Sequence, residues 1–192
     1  MIDTDITLPE NFFEIRSRSE VINFSMPSDL QTGSLLRTLV TSKPGGSFLE
    51  LGTGTGLSLS WIVEAMDVSS TVISIDNNEV YLSIAKNFFS DDQRVSIICR
   101  DGSEWIKNNQ DKKFDLIFAD AWPGKYEALY ETLFLLKKGG FFILDDMLHQ
   151  PNWPEGHQSN VDKLVDYLSL RTDLRLTKMN WSTGLIIITK VD

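Results

Sequence analysis

Cysteine is nearly absent. Cys99 is the only one in 192 residues, which excludes an internal disulfide and any zinc cluster built on thiolates. Lying in the run Val95 to Cys99, it reads as a small core hydrophobe. Basic residues are also in deficit, with 18 Lys and Arg against 27 Asp and Glu, a formal net charge of −9. A protein that draws its affinity from phosphate neutralisation normally shows a basic face, so nucleic acid is a disfavoured partner. The longest apolar runs are strand-sized, Gly184 to Ile188 among them, so no segment is expected to span a bilayer and no membrane partner is expected. Met1 to Leu8 carries acids where a signal peptide needs basic residues and an apolar core, which makes the cytoplasm the expected location. The phosphate-loop pattern G-x-x-x-x-G-K-[ST] occurs nowhere.

What is there has an ordinary folded composition, 42% apolar and 23% charged, in a chain long enough to bury a substantial core as one α/β domain. Residues 1–42 read as an N-terminal helical cap and 46–192 as the core. In the cap, Phe12, Phe13, Ile15, Val21, Ile22 and Phe24 supply apolar faces for one or two short helices, and Pro27 to Leu36 enters a helix running to about Thr41. Beyond it, β-rich runs at Thr71 to Asp76, Arg94 to Cys99, Phe114 to Asp120 and Phe141 to Asp145 alternate with helical stretches. These cover Asn78 to Phe89, Ser103 to Asn109 and Tyr126 to Lys137, the last capped by Gly139-Gly140. Repeated βα units with apolar strands predict a parallel sheet covered on both faces by helices. The tail departs from this pattern. A helix over about Ser159 to Leu170 precedes the runs Leu174 to Met179 and Leu185 to Lys190, and a turn that short forces those two strands to pair antiparallel.

Function turns on Phe48 to Ser58. An apolar run feeds Gly52-Thr53-Gly54-Thr55-Gly56, and a helical pattern with Ser58, Leu59, Trp61 and Ile62 follows at once. Such a turn lets backbone approach a ligand with no Cβ in the way, and the helix start behind it offers free N–H groups to an anion. The dinucleotide fingerprint G-x-G-x-x-G would need glycine at Leu57; here the spacing is G-x-G-x-G, preceded by Glu50. An acid beside the turn repels pyrophosphate and suits a ligand carrying positive charge. Acids recur at strand ends, at Asp76, Asp101, Asp120, Asp145 and Asp146, the rim where ligands of open parallel sheets lie. One such acid is a routine cap; several on one rim point to a site. Asp76 follows the turn by roughly twenty residues, where a carboxylate can accept both ribose hydroxyls.

Glu50-Leu51-Gly52-Thr53-Gly54-Thr55-Gly56 resembles motif I of the class I S-adenosylmethionine-dependent methyltransferases. Its flanks, from about Pro27 to Asp146, resemble the O-methyltransferase branch that includes catechol O-methyltransferase and its bacterial relatives. The resemblance implies a Rossmann-like methyltransferase fold: an α/β, seven-stranded, mostly parallel sheet with the last strand inserted antiparallel and helices on both faces. It implies S-adenosylmethionine as cofactor, bound by Glu50, Gly52, Thr53, Gly54, Gly56, Asp76, Asn77 and Asp120. Ser58 would hold the methionine carboxylate, Asp101, Gly102 and Ser103 would surround adenine, and Trp122 would stack on its ring. Plain helix capping by Asp101 or Ser103 and a structural role for Trp122 stay open beside these. The segment from Pro27 to Gly33 would cover the cofactor and the substrate mouth.

In the resembling enzymes magnesium or calcium is held by the first acid after the fourth strand and by an Asp-Asn pair after the fifth, with a lysine nearby as base. Asp120 and Asp146 match two of those ligands, but Met147 stands in place of the asparagine and Pro123 in place of the lysine. Lys125, two residues on, reads as solvated at a helix start. Asp145 can supply the missing oxygen, although adjacent residues in extended chain point to opposite faces. A metal-free site would use Asp120, Asp146 or His149 as base or orienting group. Both histidines, His149 and His157, bound a loop whose Pro151 and Pro154 would stiffen it into a substrate wall. The expected activity is methyl transfer to a hydroxyl of a small-molecule acceptor. An aminopropyltransferase-like enzyme, a tRNA-modifying methyltransferase, a nicotinamide-dependent oxidoreductase and a binding module without turnover stay open beside it. For assembly, the resemblance implies a homodimer through the apolar N-terminal segment.

Overall fold

The computed structural model describes residues 2–150 and 153–192. Its strands are β1 (Ser47–Leu51), β2 (Thr71–Asp76), β3 (Val95–Cys99), β4 (Phe114–Ala119), β5 (Leu136–Leu144), β6 (Leu174–Met179) and β7 (Leu185–Lys190). They form one sheet in the order β3-β2-β1-β4-β5-β7-β6. The first five run parallel, and β7 lies between β5 and β6, antiparallel to both. Seven strands, mostly parallel with an antiparallel last strand, are what the sequence implied.

Alternation along the central strands builds two cores. Phe48, Leu116, Phe118 and Ile143 face one side, where they meet α1 (Phe12–Val21), α2 (Leu30–Thr41), α3 (Leu57–Ala65) and α4 (Glu79–Phe89). Leu49, Leu51, Ile117, Phe142 and Leu144 face the other, against α5 (Gly102–Asn108), α7 (Leu129–Leu135) and α8 (His157–Ser169). A fully buried side chain of this size contributes about 1.5–3 kcal/mol. Neighbouring strand residues therefore stabilise opposite layers, and the sheet between them is held rigid.

Three local expectations change. Of the helix expected over Tyr126 to Lys137 only α7 forms: Ala128 at φ +52 delays its start to Leu129, β5 takes over at Leu136, and a separate kinked turn, α6 (Trp122–Lys125), precedes it. Gly139-Gly140 lies inside β5 instead of capping a helix. Leu136 already pairs with Phe114, and the register shifts before Leu116 meets Phe141, the glycines absorbing the irregularity. Cys99 is exposed: it ends β3, the edge strand of the sheet, none of whose residues is fully buried.

Candidate active site

The turn after β1 uses all three of its glycines in the left-handed region, Gly52 at φ +103, Gly54 at φ +51 and Gly56 at φ +94. A Cβ on Gly54 would lie 2.8 Å from Phe24 Cζ, and one on Gly52 would lie 3.1 Å from the Asp120 carbonyl oxygen. The turn is thus wedged between the N-terminal segment and the end of β4, where only hydrogen fits.

Beneath it, Glu50 is fully buried on β1. Ser74 Oγ donates to its Oε2, and Thr53 Oγ1 joins Ser74 Oγ at 2.6 Å, tying strand to turn. Oε1 has no hydrogen-bond partner. Burial pushes the Glu50 carboxyl up from 4.5 to about 7; the Ser74 and Ser58 hydroxyls pull it down, and the nearby Asp76 charge pushes it up.

At the end of β2, Asp76 grips the turn and the next helix together. Its Oδ2 accepts from the Gly54 N–H at 2.8 Å and its Oδ1 from the Asn78 N–H at 2.9 Å. Asn78 in turn caps α4 by accepting from the N–H groups of Val80 and Tyr81. Each Asp76 oxygen keeps a free lone pair.

Over these strand ends opens a cleft of about 890 Å³, roofed by Phe24 to Ser28. A side cavity of about 70 Å³, walled by Leu51, Ile75, Ala121 and Pro123, adjoins it at Gly52, Asp76 and Asn77. Gly52, Gly54, Asp76, Asn77, Asp101, Asp120, Trp122 and Asp146 all border the cleft, and Gly102 borders the side cavity. Glu50, Thr53, Gly56, Ser58 and Ser103 border neither and lie behind the first layer. Ser58 is buried on the first turn of α3, on the side of Glu50, rather than open to a carboxylate in the cleft. Ser103 Oγ donates to Glu127 Oε2 at 2.8 Å, and Asp101 caps α5 by accepting from the Glu104 N–H.

At the far end of the cleft stand Asp120, Asp145 and Asp146. Ser28 Oγ donates to Asp120 Oδ2 at 2.8 Å; Thr183 Oγ1 and the Asp146 N–H both donate to Asp145 Oδ1. Burial raises the proton affinity of Asp120 well above the usual carboxylate range, the Asp145 charge adding to it and the Lys125 charge opposing it, and burial likewise lifts Asp145 to about 6. Asp146 sits at φ +55, a left-handed backbone that turns its side chain toward the cleft beside Asp145. This answers the objection that adjacent residues must diverge, since the chain is no longer extended there. Lys125, expected in solvent, is 4% exposed and borders this cleft; its Nζ donates to the Asp145 carbonyl oxygen at 3.1 Å.

His149 is exposed and does not border the cleft; its ring lies 5.7 Å from that of Trp153. His157 does border it, buried on the first turn of α8 among Trp122, Tyr126 and Trp153, with ring centroids 4.5 to 5.5 Å away. Its Nε2 lies 3.4 Å from Tyr126 Oη, and burial lowers its pKa, the Lys125 charge adding to that effect. Trp122 is half exposed, and its ring packs on Tyr126 and His157. Pro151, one of the two prolines expected to stiffen this loop, lies outside the described residues; Pro154 lines the cleft. Sequence reasoning left Lys125 in solvent and passed over Tyr126 and Ser28. The kinked turn that carries the first two had a signal in Pro123-Gly124, a pair that breaks helices.

Comparison with known proteins agrees with this architecture. The family model described as O-methyltransferase matches residues 10–184. A Mycobacterium leprae protein described as a candidate O-methyltransferase is 31% identical over 134 residues, which take in 67% of this chain and 59% of that relative. The chain therefore aligns with little more than half the length of that curated relative. Among solved structures, an O-methyltransferase from Bacillus cereus in complex with SAH superposes with a TM-score of 0.82 at 19% identity, covering 98% of this chain and 94% of that one. TomG from Streptomyces achromogenes, an O-methyltransferase of tomaymycin synthesis in complex with SAM, gives 0.82 at 18%, covering 98% and 93%. With the matched residues running from the first helix to the start of the last strand, the chain belongs to the O-methyltransferase family.

Proposed function

We propose that this single-domain protein transfers a methyl group from S-adenosylmethionine to a hydroxyl oxygen of a small molecule. The observation that carries the proposal is Asp76. Its two oxygens hold the glycine turn and α4 in place while their remaining lone pairs face a cleft large enough for a nucleoside and an acceptor together. Family membership points the same way, as do the SAH and SAM held by the two solved relatives.

The cleft fits that cofactor on its own terms. Three left-handed glycines bring the backbone to its wall, and the buried Glu50 leaves one oxygen unpartnered behind the turn. The side cavity, where Leu51, Ile75, Ala121 and Pro123 meet Asp76, Asn77 and Arg100, suits the edge of an adenine ring, with Gly102 in its wall and Asp101 bordering the cleft it adjoins. When bound, the cofactor supplies a methyl carbon on a positively charged sulfur. The chain's share is to hold an acceptor oxygen in line with that carbon, about 3–3.5 Å away, to exclude water, and to take up the acceptor's proton. Asp120 Oδ1 is placed for the last task, since Ser28 occupies only Oδ2 and burial raises the group's proton affinity. Trp122, Tyr126 and Trp153 give the acceptor end aromatic walls.

Calorimetric titration with S-adenosylmethionine and with a nicotinamide dinucleotide tests the cofactor; tighter binding of the dinucleotide would end the proposal. Methyl-transfer assays over phenols, acids, amines and RNA then identify the acceptor. We infer a homodimer through the N-terminal segment, where Ile2, Phe13, Val21 and Met26 are exposed; light scattering giving a monomer mass would refute it. No described helix is long and apolar enough to cross a membrane, and we place the activity in the cytoplasm, where the exposed Cys99 would stay reduced.

A further inference from the structure

On the methyl-transfer reading, on which this inference rests, the acceptor end of the cleft must balance the charge of an ionised oxygen. The resemblance puts a divalent cation at Asp120 and Asp146, and the residues here do not fit one. Magnesium takes six donors in near-ideal geometry and calcium six to eight oxygens. Asp120 has committed Oδ2 to Ser28, and Asp145 has given Oδ1 to both Thr183 and the Asp146 N–H. The next side chain, Met147, is a buried thioether. Among the described residues, no group of three or more acidic, histidine or cysteine side chains is disposed to hold a metal ion.

An ammonium stands among these acids instead. Lys125 is carried inward by the turn at Gly124, whose φ of +84 and whose close approach to Leu51, 2.5 Å from a would-be Cβ, leave room only for glycine. Its one side-chain hydrogen bond among the described residues goes to the Asp145 carbonyl oxygen, so two N–H donors stay available to a ligand. Asp120 faces it from the end of β4, Asp145 and Asp146 from the end of β5, Tyr126 from its own turn and His157 from α8. Its charge lowers the proton affinity of Asp120, Asp145 and His157 alike. Burying an ammonium is costly unless opposite charge surrounds it, and the three carboxylates supply that charge.

We propose that Lys125 is the built-in cation of the acceptor site: its ammonium pairs with the ionised acceptor oxygen and positions it for transfer, so that no divalent cation is needed. The acceptor hydroxyl gives its proton to Asp120 Oδ1, its oxygen provides the electron pair of the new O–C bond, and the pair of the broken S–C bond stays on sulfur.

The test uses the full chain stripped with EDTA and two probes. The first is 4-nitrophenol, whose ionised form absorbs in the visible. Wild type should favour the bound phenolate by about tenfold or more over free solution, one unit in apparent pKa. Lys125→Met should lose that preference and Lys125→Arg should keep most of it. The second probe is manganese, followed by its electron paramagnetic resonance, and it needs neither variant. Manganese should stay free at micromolar concentration. Equal ionisation of the probe in wild type and Lys125→Met, ionisation that appears only on adding magnesium, or tight manganese binding that Asp120→Asn abolishes would each overturn the proposal. Failure to bind S-adenosylmethionine in the same preparation would instead sink the methyl-transfer reading, while the manganese titration still decides whether the acids around Lys125 hold a divalent cation.

Discussion

Replacing Glu50 with glutamine removes a charge from the least hydrated place in the cleft's foundation while keeping the shape of the side chain. In the folded protein the carboxyl binds its proton up to about pH 7, whereas in the unfolded chain it lets go near 4.5. Over that window the folded state holds a proton that the unfolded state has lost, so the stabilisation from this group is complete below about pH 4.5 and disappears as the pH rises through about 7. At about 1.36 kcal/mol for each pH unit between the two values, the loss amounts to about 3 kcal/mol. Glutamine does not titrate. The assay is urea denaturation of wild type and Glu50→Gln at half-unit steps from pH 5 to pH 8, taking the difference at each pH so that all other groups cancel. The variant should gain on wild type by about 2–3 kcal/mol across the range, most steeply below pH 7 and levelling off above it. A difference that stays flat would mean that Glu50 ionises normally inside the fold. That would refute the idea that burial without a second partner for Oε1 governs this carboxylate.

Asp76→Ala removes the acceptor of two backbone N–H groups and the lone pairs offered to the cleft; S-adenosylmethionine affinity should fall by at least tenfold, since a bond to a charged group contributes about 1.5–3 kcal/mol. Unchanged affinity by calorimetry would remove Asp76 from the site. Gly54→Ala forces a side chain into left-handed backbone and against Phe24, and should cost about 1–3 kcal/mol in denaturant with a matching loss of cofactor affinity. Phe118→Ala, on the central strand, leaves a cavity and should cost about 3–5 kcal/mol in urea.

The parallel strands were legible because each is an apolar run that ends in a polar residue, and the antiparallel return because the connection from Met179 to Leu185 is too short for a crossover. Asp76 could be placed for the same reason: its position after the second strand determines which rim it occupies. Cys99 misled because residue type outweighed position, and an edge strand exposes what a central strand would bury. The stretch after β4 was misread for a different reason. Tyr126 to Lys137 looks helical throughout, but the left-handed Ala128 delays the helix to Leu129, and the turn at Pro123-Gly124 ahead of it is what brings Lys125 inward. His149 and His157 carry equal chemistry in the sequence; only the start of α8 distinguishes the exposed one from the enclosed one.

The lone thiol on the sheet's outer edge offers a practical handle. Cys99 lies at the end of β3, 3.8 Å from the Asn77 carbonyl and one strand away from Asp76. The adjacent Glu79 carboxylate keeps the thiol protonated beyond its ordinary range, so maleimide labelling should be slow at neutral pH and faster in alkali. A dye attached there would sit once per molecule beside Asp76 at the rim of the cleft, and its emission would register ligand arrival and departure in real time.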